Sequence, residues 1–216
     1  MKLVIQLVLW IVIIFLGYLV FNSIYEPIKF NEVKEKRYAK VIENLKDIRD
    51  AELAYRTVTG EFEGNWDNLV RFIDTAQFTL TQRRDTTVMD EEYREAYGVD
   101  RRIEIVVIDT LGYKSVKDSL FKGSDRYKNM MNVPVEGVDA QFELKAGTLD
   151  KSGTQIPVFV ARIAKEVLLY DQDKDLVNQE EEIVGVDDVN GPFIQVGSME
   201  DVKTSGNWPK VYGDAE

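Results

Sequence analysis

Between Leu3 and Ile24 the chain runs for 22 residues without one charged side chain, and most of those residues are Leu, Ile, Val or Phe. As a helix such a run is about 33 Å long, close to the thickness of a bilayer's hydrocarbon core. It exceeds the apolar region of a cleavable signal peptide, roughly 7–15 residues. It also ends in Phe21-Asn22-Ser23-Ile24-Tyr25 rather than in a small-x-small cleavage site. The run predicts an uncleaved transmembrane anchor over residues 1–26, in contact with lipid through residues 3–24 and with Tyr25 at the interface. Gly17 has no second Gly at the spacing that lets two membrane helices approach closely.

The flanks leave the orientation open. Lys2 precedes the run, whereas Lys29, Lys34, Lys36, Arg37 and Lys40 follow it, and the positive-inside rule counted literally places the large domain in the cytoplasm. Those bases are interleaved with Glu26, Glu32, Glu35 and Glu43.

From Lys29 to Thr59 there is no Pro or Gly, while Pro27 stands where it can kink or interrupt a helix leaving the membrane. Tyr38, Val41, Ile42, Leu45, Ile48 and Tyr55 recur at three- and four-residue steps, with Lys36, Lys40, Glu43, Lys46, Asp47 and Asp50 on the other side. The pattern predicts an amphipathic stalk over residues 27–60, roughly 46 Å long if all of Lys29–Thr59 is helical, stopped by Gly60. Its apolar face has two readings: packing on the chain's own β-domain, or a short coiled-coil seam through Tyr38, Val41, Leu45, Ile48 and Tyr55 that meets a partner. Glu52 falls inside that seam.

Three strings follow one another here: Leu45-Lys46-Asp47-Ile48-Arg49-Asp50-Ala51-Glu52-Leu53-Ala54-Tyr55, then Thr59-Gly60-Glu61-Phe62, then Trp66-Asp67-Asn68-Leu69. Over residues 3–72 the sequence resembles type IV pilin-like and pseudopilin subunits. The resemblance implies an apolar helix that runs into an amphipathic one and packs on a small antiparallel sheet. It further implies an envelope subunit of a bacterial cytoplasmic membrane, with its domain outside, that self-associates or binds other envelope proteins. The family's processing Gly and the Glu at the fifth position of its apolar run have no counterpart in Met1-Lys2-Leu3-Val4-Ile5-Gln6, so the implied subunit is one that stays anchored.

Residues 61–216 read as a mainly antiparallel, β-rich domain, which makes the fold class α+β. Expected strands are Gln77–Gln82, Arg102–Asp109, Tyr113–Phe121, Ala140–Lys145, Ile156–Tyr170 broken once, and Phe193–Val196. Asp109-Thr110-Leu111-Gly112 reads as a hairpin turn before Tyr113, and Asp90–Tyr97 as one or two helical turns ending at Gly98. In Asp171-Gln172-Asp173-Lys174-Asp175-Leu176-Val177-Asn178-Gln179-Glu180-Glu181-Glu182 the acids Asp171, Asp173, Asp175 and Glu182 have the spacing of a calcium-binding EF-hand loop. Leu176 stands where that loop needs Gly, so the alternative is a short helix capped by Asp173 or Asp175, with Leu176, Glu180 and Ile183 on successive turns. Trp208 and Tyr212 are candidate partner anchors.

The chain has no His and no Cys, which excludes Ser-His and Cys-His catalysis, the common zinc sites, haem and iron–sulfur ligation, and disulfides. With 27 basic against 38 acidic residues, nucleic acid is not an expected partner. Oxygen-only ligation, as for calcium, is the one metal chemistry the composition still admits. The expectation is a non-enzymatic, membrane-anchored structural or scaffold subunit, pilin-like or secretion-like, acting by protein–protein contacts. The alternatives are an anchored calcium adaptor or a scaffold tethered on the cytoplasmic side.

Overall fold

A computed structural model describes residues 2–213; Met1 and residues 214–216, the outermost positions of the expected anchor and β-rich region, lie outside the described residues. The chain is α+β. It opens with α1 (Lys2–Thr59), a single helix of 58 residues. The helix passes through Pro27 without interruption. What Pro27 removes is one amide donor, leaving the carbonyl of Ser23 without its usual partner. At the far end Gly60 adopts φ +91° and its amide bonds the carbonyl of Arg56 at 2.8 Å, so a left-handed residue closes the last turn where the sequence places it.

α1 changes character along its length. Its first part, through Ile28, exposes its apolar side chains on every side, and it is the one helix among the described residues that is long and apolar enough to cross a membrane. From Phe30 onward one face turns inward: Tyr38, Val41, Ile42, Leu45, Ile48, Ala51 and Ala54 are all buried.

The chain divides into two compact units, one comprising residues up to Leu69 together with Lys128 onward, the other Val70–Tyr127. α2 (Trp66–Thr75) carries the chain from the first into the second.

In the first unit, β3 (Glu143–Lys151), β4 (Thr154–Ala164) and β5 (Phe193–Gly197) form an antiparallel sheet in the order β3-β4-β5. β4 is central and buried on both faces from Val158 to Ala161, as its unbroken apolar run requires. The inward face of α1 packs on β4 and β5, whose Ile194 and Val196 are fully buried. The β3–β4 turn is Ser152-Gly153, both left-handed at φ +57° and +82°. This is a two-residue hairpin of the primed type, which matches the twist of the flanking strands. The expected strand Ala140–Lys145 is thereby corrected to Glu143–Lys151, because the tight turn lets pairing continue past Gly147 to the hairpin tip. The break expected inside Ile156–Tyr170 is the switch from β4 to α5 (Lys165–Leu168). α6 (Lys174–Glu181) follows, and a short 3-10 turn at Lys210–Tyr212 lies near the end of the described chain.

The second unit is built around a ribbon of two antiparallel strands, β1 (Gln77–Met89) and β2 (Arg102–Ser115), paired from Gln77 opposite Ser115 to Met89 opposite Arg102. Two expectations fail here. Asp109-Thr110-Leu111-Gly112 is not a turn: β2 continues through it with one irregularity, which leaves Leu111 unmatched between Thr110 opposite Thr81 and Gly112 opposite Leu80. The reversal is made instead by α3 (Glu91–Tyr97), capped by the Asp90 carboxylate accepting from the Tyr93 amide at 3.0 Å and closed by Gly98 at φ +69°. The polar stretch Arg83–Thr87 has no strand signal of its own, and pairing with the apolar run of β2 extends β1 to Met89. The expected strand Tyr113–Phe121 ends at Ser115, whose hydroxyl caps α4 (Val116–Phe121) by accepting from the Asp118 amide at 3.4 Å. Phe121 and Tyr127 pack with ring centroids 5.3 Å apart, and the Tyr127 hydroxyl donates to the carboxylate of Asp74.

Candidate functional site

The densest polar arrangement in the first unit joins α1 to α5 and α6. Lys165, fully buried, donates from Nζ to the carbonyls of Glu180 and Val189 at 2.6 and 2.7 Å and to Glu180 Oε1 at 3.2 Å. Glu180, also buried, accepts from Lys34 Nζ on Oε2 at 2.9 Å and from the Tyr38 hydroxyl on Oε1 at 3.3 Å. Burial pushes the Lys165 ammonium down, and the Glu180 carboxylate opposes that shift. The Tyr38 hydroxyl is pushed far up, first by burial and then by Glu180. The buried Lys165 ammonium has three acceptors and the Glu180 carboxylate three donors, two of them cationic, which is the condition for burying an ion pair without a large net penalty. Three acceptors hold the buried ammonium in place, and the shared Glu180 fixes α6 onto α1.

One turn away, Arg37 grips Asp171 through two bonds of 2.6 and 2.8 Å, donates to the Leu168 carbonyl at 2.7 Å and lies over the Tyr170 ring. The guanidinium holds the Asp171 carboxyl well below the usual carboxylate range. This accounts for the first of the four acids proposed for calcium. Asp173 is the α6 cap, accepting from the amides of Asp175 and Leu176 at 3.0 and 3.2 Å. Asp175 lies in the first turn of α6, and Glu182 at its carboxyl end donates its amide to the Asn178 carbonyl at 3.2 Å. The structure therefore does not bring Asp171, Asp173, Asp175 and Glu182 together, and among the described residues no group of three or more acidic side chains is arranged to hold a metal. The segment is the capped helix of the alternative reading, with Leu176 and Glu180 on it but ending at Glu181, short of Ile183.

Beside α6 lies an open cleft of about 700 Å³, with Val138, Val167 and Val177 among its apolar lining and Glu166, Lys174 and Glu181 among its polar residues. The Tyr170 hydroxyl projects into this neighbourhood and donates to the Glu136 carbonyl at 3.4 Å. Gly137 sits at φ +79°, a left-handed backbone that favours glycine, and a Cβ there would fall 2.2 Å from that hydroxyl oxygen and displace it.

A second polar cluster closes the far end of α1. Glu52 is fully buried, and its Oε2 accepts from the Glu63 amide at 2.9 Å. Its Oε1 meets no donor among the described residues. Burial pushes its carboxyl up to about 8, so it carries a proton at neutral pH. The Tyr55 hydroxyl donates to the Glu63 carboxylate at 3.1 Å, and Asn65 caps α2 by accepting from the amides of Asp67 and Asn68 at 2.9 and 3.2 Å.

Most of the side chains expected at a partner surface lie elsewhere. Tyr38, Val41, Leu45 and Ile48 are buried within the chain's own fold, Tyr38 against Glu180 of α6, and Tyr55 holds the turn after α1. Trp208 is buried as well, and Tyr212 is half-buried, its carbonyl accepting from Lys46 Nζ at 2.5 Å. Sequence reading missed Lys165, Glu180 as an ion-pair centre, and Glu52 as a protonated core residue. The available signal was Glu180 and Glu52 standing at apolar positions of otherwise regular stripes.

Set against known proteins, the chain matches no protein-family model, no curated protein and no solved structure.

Proposed function

We propose that the protein is a single-pass, membrane-anchored, non-enzymatic subunit of a bacterial envelope assembly, pilin-like or secretion-like, that works by protein–protein contacts and carries its domain outside the cytoplasmic membrane. One observation carries the reading: a single unbroken helix exposes apolar side chains all round through Ile28 and then becomes the spine of a small antiparallel sheet domain. Apolar surface on that scale is not left in water, and a bilayer covers it while the helix pairs its own backbone, the Ser23 carbonyl opposite Pro27 excepted. The ion clusters at Glu180 and Arg37 support the same reading. They clamp the helix to α5, α6 and the segment between them shortly after the apolar part, so a force on the domain is transmitted to the anchor. The outward orientation follows the resemblance to pilin-like subunits.

Protease treatment of spheroplasts tests the orientation. Digestion of the domain without lysis is the expected result, and protection until lysis would place it in the cytoplasm as a tethered scaffold. Crosslinking in cells followed by pulldown tests the assembly role. The expected result is capture of an envelope protein or of further copies, and recovery of monomer alone overturns it.

A further inference from the structure

The β1–β2 ribbon has two features that do not belong together. Two antiparallel strands without a packed face are marginal on their own, and a third strand or a covering layer is the usual remedy. Among the described residues both strands have an unpaired outer edge, and Val106, Ile108, Leu111 and Tyr113 are exposed. Yet Ile103-Glu104-Ile105-Val106-Val107-Ile108 is the near-continuous apolar run of a strand covered on both sides, the pattern that β4 shows where it is buried. Long apolar edges recruit another strand, and the β2 segment from Arg102 to Asp109 lies clear of the irregularity at Leu111.

The charges on β2 say which strand. Residues on one face of a strand alternate, and the face that begins just before β2 reads Arg101, Ile103, Ile105, Val107, Asp109: basic, three aliphatics, acidic. That order complements itself only when reversed. We infer that the open edge of β2 pairs antiparallel with the β2 edge of a second copy about a two-fold axis at Ile105. Arg101 then stands opposite the second copy's Asp109, Ile103 opposite Val107, and Ile105 opposite itself, with the same set repeated across the axis. Two like-facing residues pair across an antiparallel two-fold, so the register with Ile105 at the centre is the one that sets both basic ends against both acidic ends. The ribbons become a four-stranded sheet with a continuous apolar stripe. Within its own chain Asp109 meets Arg84 in an exposed pair at 3.5 Å, and Arg101 meets the part-buried Asp90 at 3.7 Å and lies over the Tyr93 ring at 5.0 Å; both ion pairs are longer than hydrogen-bond distance, and the exposed one is worth little.

This deepens the proposed function by naming a second copy as one contact, and it holds on either side of the membrane. The chain has no Cys, so a single introduced thiol reports the register directly. Across the two-fold the Ile105 Cα atoms would lie about 4.5–5.5 Å apart, within disulfide range. The experiment uses the full chain in detergent micelles under mild oxidation. A covalent dimer is expected from Ile105→Cys and none from Thr87→Cys, an exposed position on β1. Light scattering is expected to show a dimer for the unsubstituted chain, monomer for Asp109→Arg, and recovered dimer for Arg101→Asp combined with Asp109→Arg. Equal crosslinking at the two thiols, an unsubstituted chain that is monomeric, or a dimer indifferent to Asp109→Arg overturns the pairing. Recovery in the double variant excludes misfolding as the cause of the single variant's loss. Failure here leaves the anchor reading standing, and the spheroplast experiment decides that separately.

Discussion

β4 and β2 carry similar sequences and end in opposite environments. Val158–Ile163 on β4 and Ile103–Ile108 on β2 are both nearly unbroken apolar runs. β4 has a strand on each side and a helix against it, and Phe159 and Ala161 are fully buried. β2 has a single neighbour, and Ile108 is 65% exposed. The difference teaches that an apolar run specifies that a strand will be covered, not by what. For β4 the cover is α1, which ion pairs also tie to α6 and to Asp171. For β2 nothing within its own unit fills that role.

The comparison can be broken most violently at the clamp. Glu180→Ala leaves the Lys165 ammonium buried without its carboxylate and removes the acceptor of Lys34 and Tyr38, so a loss of about 3–5 kcal/mol is expected in denaturant unfolding of the full chain in micelles. Gly197→Ala attacks the β4–β5 sheet itself. A Cβ there would lie 2.2 Å from the Phe159 carbonyl oxygen, at a backbone φ of +76°, and the expected loss is about 2–3 kcal/mol by the same measurement.

Glu52 gives a pH-dependent version. Its carboxyl is raised to about 8 in the folded chain, so between the ordinary carboxylate range and pH 8 the unfolded chain ionises while the folded chain holds its proton. Stability contributed there is full at low pH and falls as pH rises through about 8. Glu52→Gln keeps the shape and the bond to Glu63, removes the slope, and is expected to be more stable than the parent at pH 8 by on the order of 2 kcal/mol. Asp171→Asn has the opposite sense and a smaller size. Its carboxyl is lowered by Arg37, so that contribution is present at neutral pH and disappears on acidification below the carboxylate range. A loss of roughly 0.2–1 kcal/mol at pH 7, vanishing in acid, is expected from paired unfolding curves.

The smallest effect belongs to the ribbon and sharpens the contrast. Ile108→Ser removes an exposed side chain and should change unfolding by no more than about 0.5 kcal/mol, whereas an apolar-to-Ser change on β4, at Phe159, would be severe.

Several elements were legible because their signals are local. Gly60 after a Gly-free stretch marks the end of α1, Asp90 and Gly98 bracket α3, and Phe193 opens β5 where the apolar residues resume after Gly191-Pro192. The candidate site was legible only in part. Asp173 is recognisable as a cap from its position alone, since the amides it accepts are two and three residues away. The fate of Asp171 depends on Arg37, which is 134 positions earlier in the chain, and Lys165 finds the Val189 carbonyl 24 positions later. Spacing along a sequence carries no record of such meetings. The hairpin expected at Asp109–Gly112 failed for a related reason: turn residues license a reversal, but the ladder between β1 and β2 gains more by running straight through.

By itself the sequence determined the long apolar helix, its amphipathic continuation, the caps and the α+β class, because each rests on residues within a few turns or steps of one another. Only the tertiary structure decided that the stalk's apolar face serves the chain's own core and that the acidic segment is tied to arginine and to a helix cap. It also decided that one of two look-alike strands is buried while the other keeps an open edge. Those outcomes depend on which distant surfaces are available to cover an apolar face or neutralise a charge, and that is a property of the folded whole.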